Sequence, residues 1–373
     1  MADYRSTGKE LRKSPKGLIA WLCVGVLAIG GAFGVKRILS NMQPIVPDSE
    51  QSAESSEVDI PILNDPSDES SENTREIFYS YDAVFRDAMA KGSLILVNRE
   101  HSIEDMSDGL VSVFEHRGDY FSVKDTDVLL TEECISAFTE MTNDFFRETG
   151  HKDLQIISGY RTKAYQKKLY DKDASNTDAP EADRVAAPGC SDHETGCAFD
   201  VNIYNKGVAA DFDGTGDYDW LIRHCEDYGF IIRYPQDKVD ITKFSYEPWH
   251  FRYVGKLHAA YMAEHNLCLE EYLEEIKQYP YEGEHLRTAN KEGNLCEVFY
   301  LPAPEDTASV IEIPIPIEQK YTVSGNNMDG FIITVESDFA APESITETTA
   351  PAEKSTPSDT TVSSTETTVA ANE

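Results

Sequence analysis

Ser191-Asp192-His193-Glu194-Thr195-Gly196-Cys197-Ala198-Phe199-Asp200 is the stretch on which the reading of this chain turns. An imidazole precedes a glycine turn. A carboxylate follows in the run Cys197 to Asn202 (CAFDVN), which reads as a strand. Turn plus strand can bring His193 and Asp200 around one point. Downstream, Glu247-Pro248-Trp249-His250 adds a second imidazole and a second carboxylate, and Pro248 favours an extended path between them. Two histidines and one carboxylate suit a catalytic zinc ion, with a fourth position left for water. Zinc brings the pKa of such a water toward about 7, and a carboxylate that is not a ligand can take its proton. Glu247 is placed for that.

Attack on a peptide carbonyl builds an oxyanion, which a nearby cation stabilises. Arg161, in Ser158-Gly159-Tyr160-Arg161-Thr162 just after a predicted strand, is the candidate. Spacing alone also leaves ordinary structural readings open, because the pattern is not H-E-x-x-H. A lone His or Asp is most often a surface or hydrogen-bonded group, and Arg161 could simply be an ion-pair partner. His116, His151, His224, His258, His265 and His285 are read as structural, Glu194 as exposed and the Trp249 ring as core.

Around these segments the pattern alternates between strands and helices. Ser93 to Val97 (SLILV), Leu154 to Ser158, Phe230 to Tyr234 and Trp249 to Tyr253 read as strands. Thr131 to Thr149 is an amphipathic helix stopped by Gly150, and Arg161 to Asp171, Tyr218 to Tyr228 and Lys256 to His265 are helical in pattern. Short strand spacings favour an α+β layer fold over a doubly wound sheet. This globular body spans 77–282. From 283 to 336 the pattern becomes β-rich (CEVFYLPA, SVIEIPIPI, KYTVSG, FIITVE), with turn signals at Gly325-Asn326-Asn327 and Asp329-Gly330. Residues 337–373 form a Thr/Ser-rich, low-complexity tail expected to be disordered.

Gly17 to Val35 (GLIAWLCVGVLAIGGAFGV) carries no charge and is long enough to nearly cross a hydrocarbon core of about 30 Å. Arg5, Lys9, Arg12, Lys13 and Lys16 precede it, so residues 1–16 are expected in the cytoplasm and the rest outside. The rival is a cleaved signal peptide ending near Ala32-Phe33-Gly34; both readings export the body. Residues 36–76 read as a solvated acidic stalk. The formal net charge of −34 disfavours a nucleic-acid partner. Beyond Cys23, six cysteines (Cys134, Cys190, Cys197, Cys225, Cys268 and Cys296) are open to two readings, disulfides outside the cytosol or buried thiols.

The segments SGYRT (158–162), SDHETGCAFD (191–200) and EPWHFRYVG (247–255) resemble the signatures of the VanY-type D-alanyl-D-alanine carboxypeptidases, in the LAS group of zinc peptidases. The resemblance covers roughly 92–275. It implies one Zn2+ held by His193, Asp200 and His250, with Glu247 as general base and Arg161 polarising the scissile carbonyl. It also implies substrate-binding parts for Ser191 and, more weakly, Gln166. The implied fold is a small antiparallel sheet flanked by helices, with zinc at the sheet, and the implied substrate is the peptidoglycan stem peptide. Departures are Cys190 and Cys197 flanking the His193 turn, where a local disulfide is conceivable, and Lys243 where relatives commonly carry Gly. Alternatives on the same site are L,D-carboxypeptidase or D,D-endopeptidase action on wall peptides. A different class, a non-catalytic zinc-containing wall-binding protein, is disfavoured by the intact Glu247 and Arg161. An S-x-x-K serine enzyme finds no convincing motif context.

Overall fold

The computed structural model describes residues 77–173, 185–304, 309–342 and 345. The expected anchor at 17–35, the stalk at 36–76 and the tail beyond 342, apart from 345, lie outside the described residues, while 337–340, read as the start of a disordered tail, belong to a strand. Among the described residues, no helix is long and apolar enough to cross a membrane.

In chain order the elements begin with β1 (Tyr79–Phe85), β2 (Leu110–Ser112), α1 (Val113–His116), β3 (Phe121–Val123), β4 (Leu129–Thr131) and α2 (Glu132–Thr149). Then come β5 (Leu154–Ser158), α3 (Lys163–Asp173), β6 (Ala198–Asn205), β7 (Val208–Asp211), α4 (Asp219–His224) and β8 (Phe230–Ile232). They continue with α5 (Val239–Thr242), β9 (His250–Tyr253), α6 (Lys256–Glu264) and α7 (Leu269–Ile276). The C-terminal strands are β10 (Leu286–Ala289), β11 (Asn294–Pro302), β12 (Val310–Pro316), β13 (Lys320–Gly325) and β14 (Gly330–Ala340).

The sheet that carries the site runs β3-β5-β6-β9-β8, with β7 paired to the outer end of β6. It is mixed where an antiparallel sheet was expected: β3 runs parallel to β5, and the other pairs are antiparallel. The parallel pair follows from α2, whose crossover from β4 returns the chain in the β3 direction. Thr131 caps α2, its hydroxyl accepting from the Cys134 N–H, and Gly150 closes it at φ 79°. The apolar face of α2 (Phe138, Met141, Phe145) packs on Phe199, Phe230 and Phe251 of β6, β8 and β9.

Register then fixes the chemistry. Asp200 on the central strand β6 lies opposite Ser158 of β5 on one side and His250 of β9 on the other. Directly paired residues have Cβ atoms about 4.5–5.5 Å apart, so the second imidazole is delivered to Asp200 by strand pairing alone.

Two regions depart from expectation. Ser93 to Val97 is buried as an apolar run should be, yet it joins no sheet. Its backbone groups are taken elsewhere: the Leu94 N–H donates to Ser324 Oγ, the Leu96 N–H to the Asn326 carbonyl, and Arg252 donates to the Ser93 and Ile95 carbonyls. β1 was not anticipated; it pairs along its whole length with β12, more than 220 residues later.

The C-terminal strands form a four-stranded sheet, β10-β11-β14-β13, and β12 pairs with β1. The β13–β14 turn is held by Asn326, whose Oδ1 accepts from the N–H groups of 328, 329 and 330. Packing runs across the change in sequence pattern near 283. Val298, Tyr300 and Ile332 share one apolar core with Leu269, Tyr272 and Leu273 of α7 and Val254, Ala259 and Met262 around α6. The described residues accordingly form one compact unit.

Candidate metal centre

His193 sits in a 3-10 turn, Asp192–Thr195, between the loop after α3 and strand β6. Gly196 ends that turn at φ 71°, and a Cβ there would lie 2.4 Å from the Leu110 side chain. Glu194 is fully buried rather than exposed. Its carboxylate accepts from the N–H groups of Gly189 and Ser191, closing the loop onto the turn. Burial raises its pKa despite those donors. A glutamate three residues after a serine at a turn start was the available signal.

His193 Nδ1 lies 2.8 Å from the Gly159 carbonyl. A carbonyl can only accept, so Nδ1 carries the proton and Nε2 presents a lone pair. That lone pair faces Asp200 Oδ2 at 3.2 Å. On the other side, His250 Nδ1 is 3.1 Å from Asp200 Oδ1 and 3.4 Å from Glu247 Oε2. One ligand atom from each of His193, Asp200 and His250 lies within 4.8 Å of the others. Among the described residues these three are the group placed to hold a metal.

The donor set fits a zinc ion. Acceptor atoms turned toward one another at about 3 Å repel unless a cation sits among them. Burial opposes charge on His250, but Asp200 and Glu247 outweigh it and raise its pKa to about 9. Burial and the Arg161 charge lower that of His193. Burial would raise Asp200, yet the histidines hold it well below the usual carboxylate range.

Arg161 stands on the same rim. Its Nη2 is 3.1 Å from Asp200 Oδ2, and Ser158 Oγ accepts from its Nε and Nη2. Gln166, nearly wholly buried, accepts weakly from Arg161 Nη1 and donates to the Ala186 carbonyl. Its observed part is thus to steady Arg161 and the loop. Ser191 is buried at the start of the His193 turn, its carbonyl accepting from the Glu194 N–H. The Trp249 ring is 37 % exposed beside the site, not core, because the 247–249 turn lifts it off β9. Cys190 and Cys197 are both thiols, so no disulfide joins them.

Sequence reasoning missed a buried ionic group under the site. Asp192 Oδ1 accepts from Arg252 Nη1 at 2.6 Å, and Arg233 makes a two-point pair with Glu270 of α7. Arginines inside the apolar runs of β9 and just after β8 were the signal.

A family model described as VanY, D-alanyl-D-alanine carboxypeptidase, matches residues 127–256. A D-alanyl-D-alanine carboxypeptidase of Enterococcus faecium is 32 % identical over 269 residues, covering 71 % of this chain and 80 % of that protein. The chain belongs to the VanY family of D-alanyl-D-alanine carboxypeptidases. The bifunctional D-Ala-D-Ala dipeptidase and carboxypeptidase VanXYC of Enterococcus gallinarum is 33 % identical, over 50 % of this chain and 96 % of its own. Among solved structures, the D,D-dipeptidase VanXYg in complex with a D-Ala-D-Ala phosphinate analog aligns with a TM-score of 0.60. The two are 30 % identical, over 70 % of this chain and all of VanXYg. The family match spans α2 through the start of α6, the elements that carry every residue of the metal group.

Proposed function

We propose that this protein is a zinc-dependent D,D-carboxypeptidase that removes the C-terminal D-Ala of peptidoglycan stem peptides. The observation that carries the reading is the meeting of His193, Asp200 and His250 with Glu247 beside them, in a member of this family. Zinc held by His193 Nε2, Asp200 and His250 Nδ1 supplies Lewis acidity, polarising a carbonyl and acidifying water. Glu247, its side chain 26 % exposed beside His250, takes the proton of the attacking water and returns it to the leaving amine. Arg161, braced by Ser158 and Gln166, turns its guanidinium toward the carbonyl oxygen as charge builds there. Ser191 and Gln166 shape the substrate side from buried positions. Stem peptides lie outside the cytoplasmic membrane, which agrees with anchoring through 17–35 and an extracytoplasmic body.

The test is D-Ala release by the full chain from pentapeptide and tetrapeptide stems. Release from pentapeptide is expected. Release from tetrapeptide alone would move the assignment to L,D-carboxypeptidase. Release from neither, with crosslinked dimers cleaved, would move it to endopeptidase.

A further inference from the structure

The two histidines at the metal centre are held differently. His193 has its outer nitrogen fixed by the Gly159 carbonyl at 2.8 Å. His250 turns Nδ1 to the centre, so with a metal on Nδ1 the proton stands on Nε2, and that buried nitrogen has no hydrogen-bond partner. A buried N–H left in that state is costly. Two further buried atoms lack partners at the same point, Asp192 Oδ2 and Arg233 Nε. His250 Nε2 is 4.0 Å from Asp192 Oδ2, and Arg233 Nε is 3.4 Å from the same oxygen.

We propose that Asp192 is the positioning residue of His250, its carboxylate receiving the Nε2–H so that Nδ1 is aimed at the metal. The inference rests on the metal reading given above. The surroundings of Asp192 suit this task. Its Oδ1 is occupied by Arg252 at 2.6 Å, which leaves Oδ2, loosely paired with Arg233 Nε at 3.4 Å, for the imidazole. Arg252 is itself anchored by the Ser93, Ile95 and Tyr253 carbonyls, and Arg233 by Glu270. Two arginines and two carboxylates balance in charge, and the side chains of Asp192, Arg233 and Arg252 are wholly buried. Asp192 is therefore a fixed anion and not a mobile one. A shift of the imidazole by about 1 Å onto this fixed carboxylate closes the 4.0 Å gap into a charge-assisted hydrogen bond. A carboxylate on the outer nitrogen of a ligand histidine fixes its tautomer and raises its basicity.

The test reads zinc affinity by competition with a chromogenic chelator, for the full chain as wild type, Asp192→Asn and the charge-balanced Asp192→Asn/Arg252→Gln. Wild type that takes up no zinc would overturn the metal reading itself. With wild type loading, both variants are expected to bind zinc about 10–100-fold more weakly. Affinity within twofold of wild type in either folded variant overturns the inference. Should neither variant fold, zinc-loaded wild type labelled with 15N-histidine decides. A downfield, slowly exchanging His250 Nε2 proton is expected; metal on Nε2, or an Nε2 proton in fast exchange with water, overturns it.

Discussion

The sheet that carries Asp200 and the sheet that carries Thr334 bury polar groups in opposite ways. In the C-terminal sheet they are partnered: Glu297 is paired with both His285 and Arg287, and Asn326 satisfies its own turn. His258 of α6 is likewise held between Tyr272 and Thr334. Around Asp200 they are not: Asp192, Asp200, Arg233 and His250 each keep a buried atom without a hydrogen-bond partner. The difference separates polar groups that hold a fold together from polar groups that the fold holds for chemistry. It also says that a substitution should act on chemistry in one sheet and on stability in the other.

The largest expected effect falls on the site. Glu247→Ala should lower kcat by about 10²–10⁴-fold while changing unfolding free energy by no more than about 0.5 kcal/mol, since its side chain is partly exposed. A drop in stability comparable to the loss in rate would erase the contrast. Next, Ile333→Ala in the fully buried C-terminal core should cost about 2–5 kcal/mol in denaturant unfolding. Per folded molecule, kcat should hold.

A smaller effect depends on pH. Burial lowers the His258 pKa to about 4 from 6.5. As pH falls below about 6.5 the unfolded chain takes the proton first. Stability present above that pH is therefore lost progressively down to about pH 4, by up to roughly 3 kcal/mol. Denaturant curves of wild type and His258→Gln between pH 7 and 4 should converge as this difference disappears. The smallest effect is local. Lys243 stands at φ 64° at the end of α5, a left-handed position. A side chain there costs about 1–2 kcal/mol, and glycine's extra freedom when unfolded offsets roughly half. Lys243→Gly should stabilise by about 1 kcal/mol or less without altering kcat.

The sequence made the centre legible because its parts are local. His193 and Asp200 lie one turn and half a strand apart, Glu247 and His250 lie within one turn, and strand pairing does the rest. The α2 helix and strand β5 were equally legible, since their caps and apolar periods are complete in the sequence. What escaped depends on distant partners. The 93–97 run has a strand's composition, but Ser324, Asn326 and Arg252 take up its backbone groups. β1 is defined by β12, more than 220 residues away. Asp192 and Glu270 look like surface charges, and Arg233 and Arg252 stand out only as arginines beside apolar runs, until the fold brings together residues up to 78 positions apart.

The most direct test is zinc titration of the chelator-stripped full chain, following D-Ala release from a pentapeptide stem. No release is expected without metal, full activity at one equivalent of zinc, and none at any zinc level for His250→Ala. Activity that survives stripping, or that returns undiminished in His250→Ala, would contradict a catalytic centre built on His193, Asp200 and His250.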